Sequence, residues 1–259
     1  MNKVVCIDGP SGSGKSTTAH AVSDRLGILF VDSGALYRIM TRECLRAGVD
    51  TSDPAAVAAF CRGVKVDFVV KGNRVAYEVG GEEPGDTIRT PEINAHVSPV
   101  SAVPEVRAIV TGWLREMPRL GDIVVEGRDI GSVVYPDSPY RFYLDCDPDE
   151  RARRRQKEDA SKGFVQTEAQ VKASLLARDK IDSSRKTAPL TVPEGAHRID
   201  TTHLSVDQVV DEIAKKEPEV AACCVPECVY RGFCPEFKPC GYCGTPAWKK
   251  AVDAYREVK

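Results

Sequence analysis

The sequence predicts a three-layer α/β/α fold with a parallel central sheet, and three observations lead there. Strand-like and helix-like patterns alternate over most of the chain, which is the signature of a parallel sheet covered by helices on both faces. The apolar strand runs end in polar tips: Asp8, Asp32-Ser33 and Glu126-Gly127-Arg128-Asp129. A glycine-rich loop joins the first strand pattern to the first helix pattern. In open parallel sheets ligands sit beyond the carboxyl ends of the strands, and all three polar tips fall there.

Taken in order, "VVCI" is a short buried strand leading into Asp8 and Gly9. "KSTTAHAVSDRLG" follows as a helix, with Ala19, Val22 and Leu26 at helical spacing and Gly27 as its C-terminal cap. "ILFVDSG" is a second buried strand, and "ALYRIMTRECLRAG" a helix ending at Gly48. "TSDPAAVAAFCRG" opens a third helix with Asp53 as cap and Pro54 in the first turn. The rhythm then breaks: "VKVDFVVKGNRVAYEVGG" reads as two alternating strands around Lys71-Gly72-Asn73, an antiparallel hairpin inserted into the α/β pattern. A helix with Val106, Ile109, Val110, Trp113 and Met117 on one face comes next, then the strands "DIVVEGRD" and "YRFYLDCD". Asp147-Pro148 begins the basic helix "DERARRRQKED". "TEAQVKASLLARDKIDSSR" is a further helix, and "HRIDTTHLSVDQVVDEIAKK" reads as strand, cap and last helix.

With 259 residues the chain holds one large or two modest domains. Its apolar and charged fractions, 42% and 29%, are those of a globular protein. A formal net charge of −2 argues against a nucleic-acid partner, and no apolar run reaches the ~18–20 residues that span a bilayer. The cytoplasm is the expected compartment. Of ten cysteines, Cys6, Cys44, Cys61 and Cys146 sit in apolar runs and read as small buried hydrophobes.

Gly9-Pro10-Ser11-Gly12-Ser13-Gly14-Lys15-Ser16 matches G-x-x-x-x-G-K-[ST] between a strand and a helix, the context that gives the motif its meaning. Glycines let the backbone aim its N–H groups at phosphate oxygens, and the helix beginning near Lys15 adds its positive end. The expected nucleotide-binding set is Gly9, Pro10, Ser11, Gly12, Ser13, Gly14, Lys15, Ser16 and Thr17. Lys15 is placed on the β and γ phosphates and the Ser16 hydroxyl on Mg²⁺, so ATP with Mg²⁺ is the expected donor. Asp8 and Glu126, ending neighbouring strands, are candidates to organise that ion through water.

Such loops also serve motors and switches, which need a water-activating residue and a moving effector surface; neither is recognisable here. A small-molecule kinase needs a second anion site built from arginines, because phosphoryl transfer is largely positioning and charge neutralisation. Arg38, Arg107, Arg128, Arg154, Arg155, Arg178 and Arg185 are the candidates. Val171, Leu175, Arg178, Asp182 and Arg185 form one helical stripe that starts apolar and turns charged on the same face. A core stripe that becomes Arg-Asp-Arg runs out of core and into a cleft.

"IDGPSGSGKST", "DSGALYR" (32–38), "EGRDIGSVVYPD" (126–137), "LDCDPDERARRR" (144–155) and "ARDKIDSSRKTAPL" (177–190) together resemble bacterial cytidylate kinase. That family belongs to the nucleoside-monophosphate kinases, and the resemblance runs from residue 1 to about 215. It implies a P-loop kinase in which the hairpin belongs to an enlarged monophosphate-binding insert at about 38–104. A short lid at about 149–166 would carry Arg151, Arg154 and Arg155. The kinase domain spans 1–218. The implied reaction is ATP-dependent phosphorylation of CMP or dCMP, in pyrimidine nucleotide metabolism. Lys15, Arg128 and Arg185 take the catalytic roles. Ser33, Arg38, Arg128 and Arg185 match positions around the monophosphate's phosphate. Ser98, Arg107 and Asp129 match positions that read the base, and Arg178 and Asp182 those that meet the ribose. A carboxylate accepting from the cytosine amino group separates cytosine from uracil, which lacks that donor. The acceptor is a phosphate oxyanion already, so no general base is required. A monomer with small-molecule substrates, and neither nucleic acid nor membrane, is implied. Another small-molecule kinase of the fold (for UMP, dTMP or shikimate) and a nucleotide-binding redox or metal sensor are the alternatives.

Residues 219–259 go beyond the resemblance. Six cysteines fall between Cys223 and Cys243 in C-x3-C, C-x5-C and C-x2-C spacings. Cys228, Cys234, Cys240 and Cys243 are the candidate metal ligands, for a structural Zn²⁺ that would staple a segment too short for a core. An iron–sulfur cluster uses the same ligands, and a metal-free tail is the third option.

Overall fold

The structure, a computed structural model, describes residues 2–161, 163 and 165–216. Among these residues seven strands form one sheet in the order β3-β4-β2-β5-β1-β6-β7. β1 (Val4–Asp8), β2 (Leu29–Asp32), β5 (Ile123–Gly127), β6 (Tyr140–Asp145) and β7 (His197–Asp200) are all parallel. Asp8 lies opposite Gly127, and Asp32 opposite Glu126. The polar tips predicted from the sequence are therefore brought side by side along one edge.

β3 (Asp67–Lys71) and β4 (Arg74–Glu78) pair antiparallel about a Gly72-Asn73 turn, as the alternating pattern implied. The hairpin is not a detached insert: β4 joins β2 in parallel through the Phe30–Arg74 pair, so it extends the main sheet.

Side chains alternate along each buried strand, and this period of two builds two cores. Cys6, Val31, Ile123 and Val125 face α2 (Ser33–Arg46), α3 (Pro54–Cys61) and α5 (Pro104–Glu116). Val5, Ile7, Phe30, Val124, Phe142 and Leu144 face α1 (Lys15–Leu26) and α8 (Val206–Lys215). The four cysteines expected to be hydrophobic filler are all buried. Asp53 caps α3 by accepting from Ala55 and Ala56 N–H, with Pro54 in the first turn. No described helix is long and apolar enough to cross a membrane.

One helix escaped the sequence reading: α4 (Pro91–Ala102) contains Pro99, and an interior proline argues against a helix. Thr90 accepting from Ile93 N–H and Pro91 in the first turn start it nonetheless. α6 (Pro148–Ser161) and α7 (Glu168–Ser184) pack through a small core of their own, Ala152 against Val171 and Leu175. The apolar start of the α7 stripe thus belongs to this outlying pair of helices rather than to the main core. The tail beyond 216, with its cysteines, lies outside the described residues.

Candidate active site

The cleft opens where the sequence placed it, beyond the carboxyl ends of β1, β2 and β5. It encloses about 700 Å³, towards the upper end of the ~300–1,000 Å³ usual for small-molecule sites. Among the described residues nine cationic side chains and five carboxylates line it. The excess of positive charge suits multiply phosphorylated ligands.

On one side is the glycine loop. Gly9 runs so close to β6 that a Cβ there would lie 2.2 Å from the Leu144 carbonyl oxygen, and its φ is +151°. Only glycine fits. α1 begins at Lys15 with no side-chain cap and no acidic residue in its first turn. Its free N–H groups and positive dipole end therefore face the cleft, a ready anion site. Lys15 Nζ donates to the Pro10 carbonyl at 2.6 Å and lies 3.5 Å from Ser13 Oγ. Burial, then the neighbouring Arg128, lowers its pKa to about 7; an arriving phosphate would reverse that. Ser16 Oγ donates to Glu126. Burial, then the nearby Asp32, raises the Glu126 pKa. A hydroxyl with two carboxylates that repel each other, and no nitrogen or sulfur, fits the oxygen preference of Mg²⁺. Asp8 accepts from the Ile130 and Gly131 N–H groups and anchors the turn after β5. Among the described residues no cluster of three or more His, Cys, Asp or Glu could hold a metal by itself.

On the other side lies a chain of alternating charge. Arg107 Nη2 meets Asp129 Oδ2 at 2.5 Å, and Arg185 Nη2 is 3.5 Å from Asp129 Oδ1. Arg185 Nη1 lies 3.6 Å from Asp182, whose other oxygen accepts from Arg128 Nε at 3.0 Å. Arg107 stacks over the Tyr37 ring, 5.2 Å from its centroid, and donates to the Ser101 carbonyl. Two arginines stand outside this chain. Among the described residues neither Arg38 nor Arg178 has a carboxylate within 4 Å. Arg38 instead donates to the Ile88 carbonyl and to Asn94 Oδ1, at 3.1 and 2.8 Å. Burial, then Arg178, lowers the Arg38 pKa to about 9; burial, then Arg128, lowers that of Arg178 to about 10. Among the described residues Arg107 Nε, Arg178 Nε and Arg185 Nη2 are buried without a hydrogen-bond partner. Charged forms made costly in this way, with donors left over, call for an anion. Ser33 donates to the Glu126 carbonyl at 2.6 Å, and a Cβ on Gly127 would lie 2.7 Å from its oxygen. The glycine of "EGRD" is what lets "DSG" reach the cleft.

The structure brings together Lys15, Ser16, Ser33, Arg38, Arg107, Arg128, Asp129, Arg154, Arg155, Arg178, Asp182 and Arg185. Four expected residues are not among the described residues that line the cleft: Gly9, Pro10, Ser98 and Arg151. Gly9 is packed against β6, and Pro10 gives its carbonyl to Lys15. Ser98 is buried behind the cleft, and Val97 and Ser101 from the same helix turn inward instead. Arg151 corrects the lid expectation: it is buried beneath the glycine loop, bonded to the Cys146 and Ser11 carbonyls and to Asp179. Of the inserted piece, the hairpin strands do not line the cleft; the turn Gly85–Arg89 and α4 do. The sequence reading missed Arg89, whose Nη2 meets Asp32 Oδ2 at 2.6 Å. It also missed the wall formed by Leu204, Ser205, Val206 and Val209, to which Arg154 is tied through the Thr201 carbonyl at 2.6 Å. No sequence pattern marks either, since both arrive from distant parts of the chain.

A nucleoside-triphosphate loop facing a basic second site, on a parallel sheet, defines a P-loop kinase of a small phosphorylated acceptor. The cytidylate kinase family matches residues 5–219, and the chain belongs to it. Cytidylate kinase of Clostridioides difficile (strain 630) is 39% identical over 215 residues, covering 83% of this chain and 98% of that protein. The enzyme of that name from Caldanaerobacter subterraneus subsp. tengcongensis is 41% identical over 209 residues, covering 81% and 92%. A solved structure of an uncharacterized protein from Eubacterium ventriosum shares the fold, with a TM-score of 0.50 and 14% identity over 85% of this chain and 99% of that one.

Proposed function

We propose that the protein transfers the γ-phosphoryl group of ATP to CMP, and to dCMP, giving ADP and CDP or dCDP. The observation that carries this is the acceptor side of the cleft: a buried carboxylate, Asp129, held between Arg107 and Arg185 beside two arginines, Arg38 and Arg178, that have no carboxylate within 4 Å among the described residues. Asp129 accepts from the cytosine amino group while Arg107 donates to the base. A site with a buried acceptor of this kind rejects the base that leaves it unpaired. Arg38, Arg128, Arg185 and Ser33 bind the acceptor's phosphate, and Arg178 and Asp182 meet the ribose. Residues 9–17 hold the donor phosphates. Lys15, Arg128 and Arg185 neutralise charge on the transferred group, which needs no proton removed from the acceptor. Arg154 and Arg155 lie over the donor. Ser16, with the carboxylates of Glu126 and Asp32 behind it, would hold magnesium, which would supply charge neutralisation on the donor phosphates.

We assign the catalytic unit to residues 1–218, with the insert at about 38–104 and the lid at about 149–166, a span in which Arg151 stays fixed beneath the glycine loop. Residues 219–259 are an appended tail in which Cys228, Cys234, Cys240 and Cys243 bind one Zn²⁺. The protein acts as a cytoplasmic monomer on small molecules, without nucleic acid or membrane. Coupled ADP release over CMP, dCMP, UMP, AMP and shikimate tests the assignment. CMP gives the highest kcat/KM; a faster UMP reaction, or no turnover, overturns it.

A further inference from the structure

Lys15 does not hold the glycine loop alone. The Pro10–Ser11 peptide is gripped at both ends: Lys15 Nζ donates to the Pro10 carbonyl, and the Ser11 N–H donates to Asp179 Oδ1 at 3.1 Å. The next carbonyl, that of Ser11, accepts from Arg151 Nη1 at 3.0 Å. Arg151 Nη1 also pairs with Asp179 Oδ2, and its Nε donates to the Cys146 carbonyl at the end of β6 at 3.2 Å. Gly12 then passes so close that a Cβ there would lie 3.3 Å from the Arg151 Cβ. Both side chains of the pair are largely buried, 6% and 15% exposed, and neither lines the cleft.

We propose that Asp179 and Arg151 are a positioning pair for the donor-phosphate loop, clamping both backbone polar groups of Ser11 so that the loop keeps its shape when Lys15 leaves Pro10 for the phosphates. A loop with glycines at 9, 12 and 14 has soft torsions, and unheld it would have to be ordered at the moment of binding. Phosphate affinity therefore depends on contacts that never touch phosphate. The clamp does a second thing. Asp179 follows Arg178 on α7 and precedes Asp182 by three residues, so one helix carries both the loop's clamp and the acceptor-side charges. The distance between donor and acceptor is set along that helix. Misplacing a donor by about an ångström is enough to slow transfer strongly.

The inference rests on reading residues 9–17 as the donor site, so calorimetric titration of the wild-type protein with ATP and Mg²⁺ comes first. Absence of binding there would sink that reading rather than the clamp. In Asp179→Ala the Kd for ATP rises about tenfold and kcat falls by at least as much, while the Kd for CMP stays within about threefold. Asp179→Asn keeps an oxygen for the Ser11 N–H and recovers ATP affinity to within about threefold of wild type. Arg151→Lys keeps a charge beside Asp179 but cannot reach both carbonyls. It weakens ATP binding several-fold with CMP unaffected, and it reads the same constants should Asp179→Ala fail to fold. Wild-type ATP affinity and kcat in Asp179→Ala, whatever its melting temperature, would overturn the proposal. So would equal losses of ATP and CMP affinity in Arg151→Lys.

Discussion

Asp129→Asn is the sharpest test of the acceptor site. The carboxylate is 6% exposed and its partner Arg107 is 3% exposed, with 2.5 Å between them. Deleting the side chain would strand a buried guanidinium, a loss of about 3–5 kcal/mol of stability, and would confuse folding with recognition. Asparagine keeps the shape and one oxygen. It exchanges charge-assisted hydrogen bonds for neutral ones about half as strong, so the fold survives with a loss of roughly 1.5–3 kcal/mol. Recognition changes more. An ionised carboxylate only accepts, whereas an amide also donates and can turn its NH₂ towards O4 of uracil. Base-edge discrimination of this kind is worth about 1–3 kcal/mol, roughly 5–150-fold in kcat/KM at 1.36 kcal/mol per decade. The ratio of kcat/KM for CMP over UMP, from coupled ADP release, should fall by that factor while the Kd for ATP holds within about twofold. If the ratio is unchanged and both substrates simply slow together, Asp129 supports the site but does not read the base.

Other outcomes follow from the same geometry. Arg178→Met removes a charge that burial and Arg128 make costly, and hydrophobic replacements of buried charges are often stabilising. The melting temperature of the unliganded protein should rise by about 2–4 °C while CMP affinity falls; a lower melting temperature would show that Arg178 is structurally satisfied. Asp8, raised by burial from its ordinary 3.8 to about 7 against the pull of the Gly131 and Ile130 N–H groups, binds its proton more tightly folded than unfolded. The stability it contributes is full below pH ~4 and is lost as pH rises through about 7. Melts at pH 5, 6, 7 and 8 should therefore slope less in Asp8→Asn; parallel slopes would refute the shift. Truncation after residue 218 should leave CMP turnover within about twofold and abolish one bound zinc per chain; a metal-free full-length protein would remove the zinc reading.

What could be read in the sequence was local or periodic. The glycine loop, the strand tips and the caps are each set by a few neighbouring residues, and the Arg178-Asp182-Arg185 face by helical spacing. What could not be read depends on contacts across the fold. Arg151, Arg154 and Arg155 share one helix face, so spacing sends all three towards the donor. In the structure Arg151, one turn closer to β6, is caught beneath the glycine loop. Arg89 and the Leu204–Val209 wall carry no pattern of their own. They become part of the cleft only once the sheet brings Asp32 and α8 to the same end. Pro99 hid α4 by a rule that holds for most helices and is overridden here by Thr90 capping and by packing of Val97 and Val100.

The pairing of the arginines divides their labour. Arg107, Arg128 and Arg185 are held by Asp129 and Asp182, so their forks are aimed before any ligand arrives and little ordering remains to oppose binding. A cleft in which every arginine was so matched would have little field left for a phosphate. On the proposed reading Arg38 supplies that field at the phosphate and Arg178 adds to it from the ribose side, and burial beside another arginine lowers the pKa of each. An acceptor dianion offsets that effect by restoring both groups to their ordinary charged state, which makes affinity for the monophosphate and instability of the unliganded cleft two readings of one electrostatic arrangement. The same logic orders the two substrates' phosphates. The lysine of the glycine loop and the acceptor-side arginines line one cleft, and on the proposed reading the transferred group passes between them, met by Lys15 from the donor's side and by Arg128 and Arg185 from the acceptor's.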